Sequence, residues 1–293
     1  MPYLKTSDQL KIYYEVITNK PIDFGKVREK LILINGLSSP ISYWLDVPSK
    51  LSQYFDVLIY DHRGIGKSDS VSKPYTVDRL QEDLEELVNH LHWQEYHLFG
   101  VSLGGFVCLK HAEKNRANNI KSLTLVSTHP GLKFLYYPMH NPYIEFIKWK
   151  FLPKEKRIKE IILFNSGSNL EHTNLELYKK LYKSRLSEKV SLDMNFWLQA
   201  MAGSLFWGIN YKKIKNPVLI VHGKNDRVVP YQNAIILSKL LISCKKVSLH
   251  LYENAGHLCL WEKEEEIIKT YLDFIDNLSE SSNKVQSNYI NTK

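Results

Sequence analysis

The chain has 293 residues, 44% of them apolar, which suffices for one large α/β domain carrying an insertion, or for two domains, and excludes a fibrous or wholly disordered protein. Its net charge of +8 fits an acidic partner or a solvated lysine-rich surface, and gives no sign of nucleic-acid binding. The three cysteines, Cys108, Cys244 and Cys259, are scattered and form no C-x-x-C pair, which argues against a disulfide framework and a zinc site.

Tyr3–Leu4 and Lys11–Ile17 flank the polar turn Thr6-Ser7-Asp8-Gln9, the pattern of an opening antiparallel hairpin. Lys30–Ile34 is a continuous apolar run of the kind found in strands buried on both faces, and the loop Asn35-Gly36-Leu37-Ser38-Ser39-Pro40 follows it. A helix is predicted over Ser42–Tyr54, then a strand over Asp56–Tyr60 with the loop Asp61–Asp69. Val77, Leu80, Leu84, Leu87, Val88 and Leu91 recur at helical spacing, with Thr76 placed to cap the helix N-terminus. The strand Tyr96–Phe99 runs into Gly100-Val101-Ser102-Leu103-Gly104, and the following segment to Ala112 reads as a helix. Another buried strand spans Ser122–Val126.

From about Gly131 to Lys213 the alternation stops and only helices are predicted, broken at Pro138, Pro142, Pro153, Gly167 and Gly203. It resumes with the strand Pro217–Val221 and its loop His222–Asp226, a helix over Tyr231–Leu241, and a last strand over Val247–Tyr252 with the loop Glu253–His257. A final helix is predicted over Glu262–Leu278, and the polar segment 279–293 is expected to be disordered. Alternating buried strands and helices imply a mostly parallel sheet of eight strands covered on both faces. The expected division is a core of residues 1–130 and 213–278 and a helical cap of residues 131–212.

In such a sheet, ligands sit beyond the carboxyl ends of the strands. Ser102, Asp226 and His257 all fall there, as do the loops at Asn35–Leu37 and Asp61–Arg63. A Gly-x-Ser-x-Gly turn between strand and helix thrusts its serine out of the chain. A serine nucleophile needs a base to take its proton and a group to orient that base. His257 is the candidate base and Asp226 the orienting acid, in the order Ser, Asp, His. The backbone N–H groups of Leu103 and Leu37 are the candidate oxyanion donors. His90, His92 and His111 lie at or near helix ends and read as surface or packing residues. His129 and His222 end strands and are candidates for the pocket wall. Gly66-Lys67-Ser68 lacks the glycine that a phosphate-binding loop requires at position 61, which is Asp. Cys259 reads as a small buried residue, and Glu262, Glu264, Glu265 and Glu266 as favourable charges near a helix N-terminus.

These pieces together resemble the α/β-hydrolase fold superfamily over about residues 3–278. The resemblance rests on Ile34-Asn35-Gly36, Tyr60–Asp69, Gly100–Gly105, His222–Asp226 and Ala255-Gly256-His257. It implies a serine hydrolase with no cofactor and no metal, a triad of Ser102, His257 and Asp226, a structural role for Asp61 and Arg63, and a helical cap over the pocket. Asn35 departs from the family pattern, in which histidine often precedes the glycine. The implied reaction is hydrolysis of a carboxylic ester. Enol-lactone, thioester or carbon–carbon bond hydrolysis and cofactor-free peroxidase chemistry share the same triad.

The region from Gly131 to Val190 carries twelve Lys and Arg against six Glu, most of the chain's positive excess. Such a field suits an acidic partner, and an acyl-carrier-protein methyl ester esterase of the biotin-pathway type is one specific expectation. The segment Tyr143–Leu152 mixes aromatics and lysines as interfacial helices do, so contact with a membrane surface is a further reading. A ligand receptor on the hydrolase fold is the remaining class. The chain has no apolar run near the roughly 18 residues of a spanning helix and no secretory leader pattern at Met1–Asp8, and a cytoplasmic location is expected.

Overall fold

A computed structural model describes residues 2–19, 28–114, 119–137, 142–187 and 193–290. Pro138, one of the expected helix breaks, lies outside them. The eight strands are β1 (Tyr3–Lys5), β2 (Lys11–Ile17), β3 (Glu29–Ile34), β4 (Phe55–Tyr60), β5 (Tyr96–Val101), β6 (Ile120–Val126), β7 (Val218–Gly223) and β8 (Val247–Tyr252). They form one sheet in the order β1-β2-β4-β3-β5-β6-β7-β8. β1 and β2 form the opening hairpin, β2 is antiparallel to β4, and every other pairing is parallel.

The core-facing helices are α1 (Val47–Leu51), α2 (Val77–His90) and α3 (Leu103–Lys114). Between β6 and β7 come α4 (Pro142–Lys150), α5 (Lys154–Asn165), α6 (Leu170–Thr173), α7 (Leu175–Ser187) and α8 (Met194–Ser204). After β7 come α9 (Gln232–Leu240), α10 (Cys259–Glu262) and α11 (Glu264–Ile290). Successive strand residues point to opposite faces, so the central strands feed two cores. Ile32, Ile34, Leu58 and Leu98 pack under α2, α3 and α9. Leu31, Leu33, Val57, Phe99 and Val101 pack against α1, α10, α11 and the helices α5 and α7. This double burial is why these strands read as unbroken apolar runs.

Three local expectations are corrected. The helix predicted over Ser42–Tyr54 is a 3₁₀ turn at Ile41–Trp44 followed by α1, with Leu45 at φ 52° between them. Pro48 is the cause: it lacks an N–H and fits only the first turn of a helix, so α1 starts just before it. Thr76 does occupy the cap position of α2, but its side chain makes no capping hydrogen bond. The last helix continues past Leu278 to Ile290. No glycine or proline occurs between Glu264 and Ile290 to stop it.

Candidate active site

The turn between β5 and α3 is held by backbone contact on every side. Ser102 has φ +53°, the left-handed region that a serine adopts only under constraint. Its N–H donates to Val126 O at 2.8 Å, and its carbonyl accepts from Gly105 N–H at 2.8 Å and Thr128 Oγ1 at 2.9 Å. A Cβ on Gly100 would stand 2.4 Å from the Gly104 carbonyl oxygen, and one on Gly104 would stand 2.1 Å from that of Ile34. Any side chain at either position therefore pushes the elbow off the sheet.

Three strand-end loops converge on this serine. His257 Nε2 lies 3.0 Å from Ser102 Oγ, and His257 Nδ1 lies 2.8 Å from Asp226 Oδ2. Asp226 is buried, and its Oδ1 accepts from the N–H groups of Val228 and Val229, both at 2.8 Å. Burial works against its charge. The imidazoles of His257 and His222 outweigh that effect and hold the Asp226 carboxyl well below the usual carboxylate range. His222 stands behind the site rather than in the pocket wall, with Nε2 3.0 Å from Asp226 Oδ2 and 2.8 Å from Val229 O. Both neighbours are acceptors, so that nitrogen carries the proton. His129 does line the cavity. Burial, then the neighbouring His222 and His257, depress its pKa to about 3, and its neutral ring accepts the Gly131 N–H at Nδ1.

The loop after β3 lies against the nucleophile. A Cβ on Gly36 would meet Ser102 Cβ and Val101 O at 3.3 Å, so glycine lets the loop approach this closely without its neighbours giving way. Leu37 follows at once and lines the same cavity, and Leu103 supplies the first amide of α3. Neither N–H donates to a protein acceptor among the described residues. Asn35 O accepts from His62 Nε2 at 3.1 Å, which fixes the loop from below. On the same β4 loop, Asp61 accepts the N–H groups of Ile41 and Lys67, and Arg63 pairs with Asp83 and Asp8. Those two residues brace the loop and do not line the pocket.

Above the serine is a cavity of about 410 Å³ whose roof comes from α4, α5, α7 and α8. Phe106 stacks on Phe206 at 4.6 Å on one wall, and Phe146 and Phe196 pack edge to face on another. Besides Asn165 and Ser204, two polar side chains from the roof line this apolar space. Arg185 of α7 is only 9% exposed and lies 4.2 Å over the Tyr43 ring. It has no carboxylate partner among the described residues, and its Nε makes no hydrogen bond. Gln199 of α8 is the second. Cys259 lies beneath the site, buried against Ser127, and burial pushes its thiol up to about 12, so it is not a competing nucleophile.

Residues 30–264 match the family model described as alpha/beta hydrolase fold. The chain belongs to that family. A relative from Pseudomonas putida, 2-hydroxy-6-oxononadienedioate/2-hydroxy-6-oxononatrienedioate hydrolase 2, is 25% identical over 268 residues, covering 87% of this chain and 90% of the relative. An esterase from Exiguobacterium antarcticum has a structure similar at a TM-score of 0.75, with 19% identity over 94% of this chain and 98% of that one. The enol-lactonase from Burkholderia xenovorans LB400 is similar at a TM-score of 0.74, with 18% identity over 94% of this chain and all of that one (100%). The two structures bear on the fold alone. Membership makes the chain a hydrolase-fold enzyme, and no helix among the described residues is long and apolar enough to cross a membrane.

Within this family frame, four site residues escaped the sequence reading: His62, Arg185, Gln199 and Glu262. Glu262 is half-buried and accepts the N–H groups of Gly256 at 2.7 Å and Gly167 at 2.9 Å, tying the His257 loop to the roof. The sequence signal for it was misleading, because a glutamate beside three others looks like helix-end charge. His62 carried a signal in its position on a strand-end loop, but not in its partner.

Proposed function

We propose that this protein is a serine hydrolase that cleaves a carboxylic ester through an acyl-enzyme, and that its substrate carries a carboxylate. The observation that carries the chemistry is the unbroken chain Asp226–His257–Ser102, with links of 2.8 and 3.0 Å, opening into an apolar cavity. Ser102 Oγ attacks the ester carbonyl while His257 Nε2 takes its proton. The Leu37 and Leu103 N–H groups receive the oxyanion, and Asp226 stabilises the imidazolium. Collapse expels the alcohol, which leaves with the proton from His257. Water then repeats the sequence on the acyl-enzyme and releases the acid.

Arg185 supports the carboxylate. Among the described residues this buried guanidinium has no anion beside it, and a substrate carboxylate in the cavity would pair with it. The test compares p-nitrophenyl hemiglutarate with p-nitrophenyl pentanoate. Arg185→Leu is expected to lower kcat/KM for the acidic ester by about 10- to 100-fold and to leave the neutral ester within about 3-fold. Equal losses on both would reject the carboxylate assignment.

A second reading, carbon–carbon bond hydrolysis, is favoured by the same Arg185, which has no carboxylate partner among the described residues, together with the dioate named for the Pseudomonas putida relative. It predicts loss of chromophore from a 2-hydroxy-6-oxodienoate at a rate exceeding that on any aryl ester. A chromophore that persists in the presence of active enzyme would remove it.

A further inference from the structure

Gln199 sits midway along α8 and is fully buried, with 0% exposure. Its side-chain oxygen accepts the Ser38 N–H at 2.6 Å. A backbone N–H can only donate, so the oxygen of the amide faces Ser38 and the NH₂ faces away from it. That NH₂ finds no acceptor among the described residues, and Gln199 lines the cavity above Ser102. Leaving a buried donor unmatched is unfavourable, and an oxygen on a bound ligand removes the penalty.

The location of this donor restricts which part of the ligand it meets. Ser38 follows Leu37 directly, so Gln199 is anchored next to the loop expected to hold the oxyanion. The leaving group must lie at His257 Nε2 to receive its proton. The part of the substrate that leans on the Leu37–Ser38 side is therefore the retained acyl portion. The roof helix is close-packed here: Gly203, one turn on, faces Leu103, and a Cβ there would stand 3.2 Å from Leu103 Cδ1. A ligand chain leaving the carbonyl on this side passes under α8.

We propose that Gln199 selects substrates whose acyl chain bears a second oxygen acceptor, a keto or ether oxygen a few bonds from the reacting carbonyl. This rests on the acyl-enzyme reading above, and it is separate from the carboxylate assigned to Arg185. A site built to hydrogen-bond a substrate oxygen discriminates strongly against an analogue that lacks it, because its own polar group is then stranded.

The probe is a set of matched p-nitrophenyl esters: pentanoate against 4-oxopentanoate, and hexanoate against 5-oxohexanoate. The wild-type protein is expected to favour at least one oxo ester by about tenfold or more in kcat/KM. Gln199→Met, which keeps the volume and loses the amide, is expected to bring that ratio within about twofold. Loss of the Ser38 bond slows both members of a pair alike and cancels in the ratio, so a merely structural role would not move it. Wild-type ratios near one, or a preference that survives Gln199→Met, would overturn the proposal. Should the variant not fold, the wild-type ratios still decide. Calorimetric binding of the corresponding methyl esters to Ser102→Ala reads the same preference without turnover. Preferential binding of the oxo ester with no wild-type turnover of any ester would contradict the acyl-enzyme reading and leave the Gln199 assignment standing.

Discussion

The floor of the cavity and the α8 part of its roof are built by different means. On the floor, Gly36, Gly100 and Gly104 bring backbone against backbone, and an added methyl at Gly104 would meet a carbonyl oxygen at 2.1 Å. On the roof, α8 meets the floor through side chains, and an added methyl at Gly203 would meet only the movable end of Leu103 at 3.2 Å. The roof is tied down at separate points: Gln199 to Ser38, Glu262 to Gly167, and Tyr136 to Asn233. The floor leaves no freedom where bonds break and form. The roof leaves room for side chains that meet the substrate to differ. On the proposed reading, reaction type is set by the floor, and substrate choice by Arg185, Gln199 and the aromatics above it.

The sharpest break of this contrast is at Asp226. Asp226→Asn should lower kcat by on the order of 10⁴-fold, because the amide no longer holds the His257 tautomer or stabilises its cation. The change should leave the Arg185 and Gln199 preferences unaltered in whatever activity remains, since those act from the roof. Steady-state kinetics on two esters at high enzyme concentration measure both.

A matched pair of alanine substitutions comes next. Gly104→Ala should destabilise the protein by about 3 kcal/mol or more, since the carbonyls it meets belong to β3 and its loop and cannot step aside. Gly203→Ala should stay within about 1 kcal/mol, because Leu103 Cδ1 can rotate away. Urea unfolding of the two variants beside wild type checks this. Equal penalties would erase the distinction between the two faces.

Acid should weaken the core beneath the roof, by a smaller amount per group. Burial depresses His62 and His111 to about 4 and His129 to about 3, from the ordinary value of 6.5. In the unfolded chain these rings take up protons near pH 6.5, whereas the folded protein refuses them until pH 3 to 4. Their contribution to stability is therefore complete above about pH 6.5 and falls as pH drops toward 4, by up to about 1.4 kcal/mol per pH unit for each ring. Denaturant midpoints measured from pH 7.5 to 4.5 should decline across that window, and a flat profile would contradict the burial described for these three rings.

Much of the floor was legible in the sequence, and little of the roof. Ser102, Asp226 and His257 each follow the carboxyl end of a predicted strand, so sheet topology alone gathers them at one edge. Leu37 and Leu103 follow from backbone position, which needs no side-chain signal. Pro48 marks the first turn of α1 in the sequence, but the reversal at Leu45 that separates α1 from the preceding 3₁₀ turn has no local signal. Gln199 and Ser38 are 161 residues apart, and Glu262 and Gly167 are 95 apart. Neither pair has a local pattern, because the partner is chosen by how α8 and the loop at Gly167 come to rest on the core. Arg185 looked like one more basic residue in a lysine-rich stretch, and only its burial beside Tyr43 sets it apart.

The central claim is that Ser102 carries the acyl group. The direct measurement is mass spectrometry of the intact protein and its peptides after reaction with a p-nitrophenyl alkylphosphonate, which traps an activated serine as a stable adduct. The account predicts one adduct per chain, on the peptide containing Ser102, absent in Ser102→Ala and strongly slowed in His257→Ala. An adduct on Cys259 or on another residue, or turnover that persists after Ser102 is replaced, would contradict it.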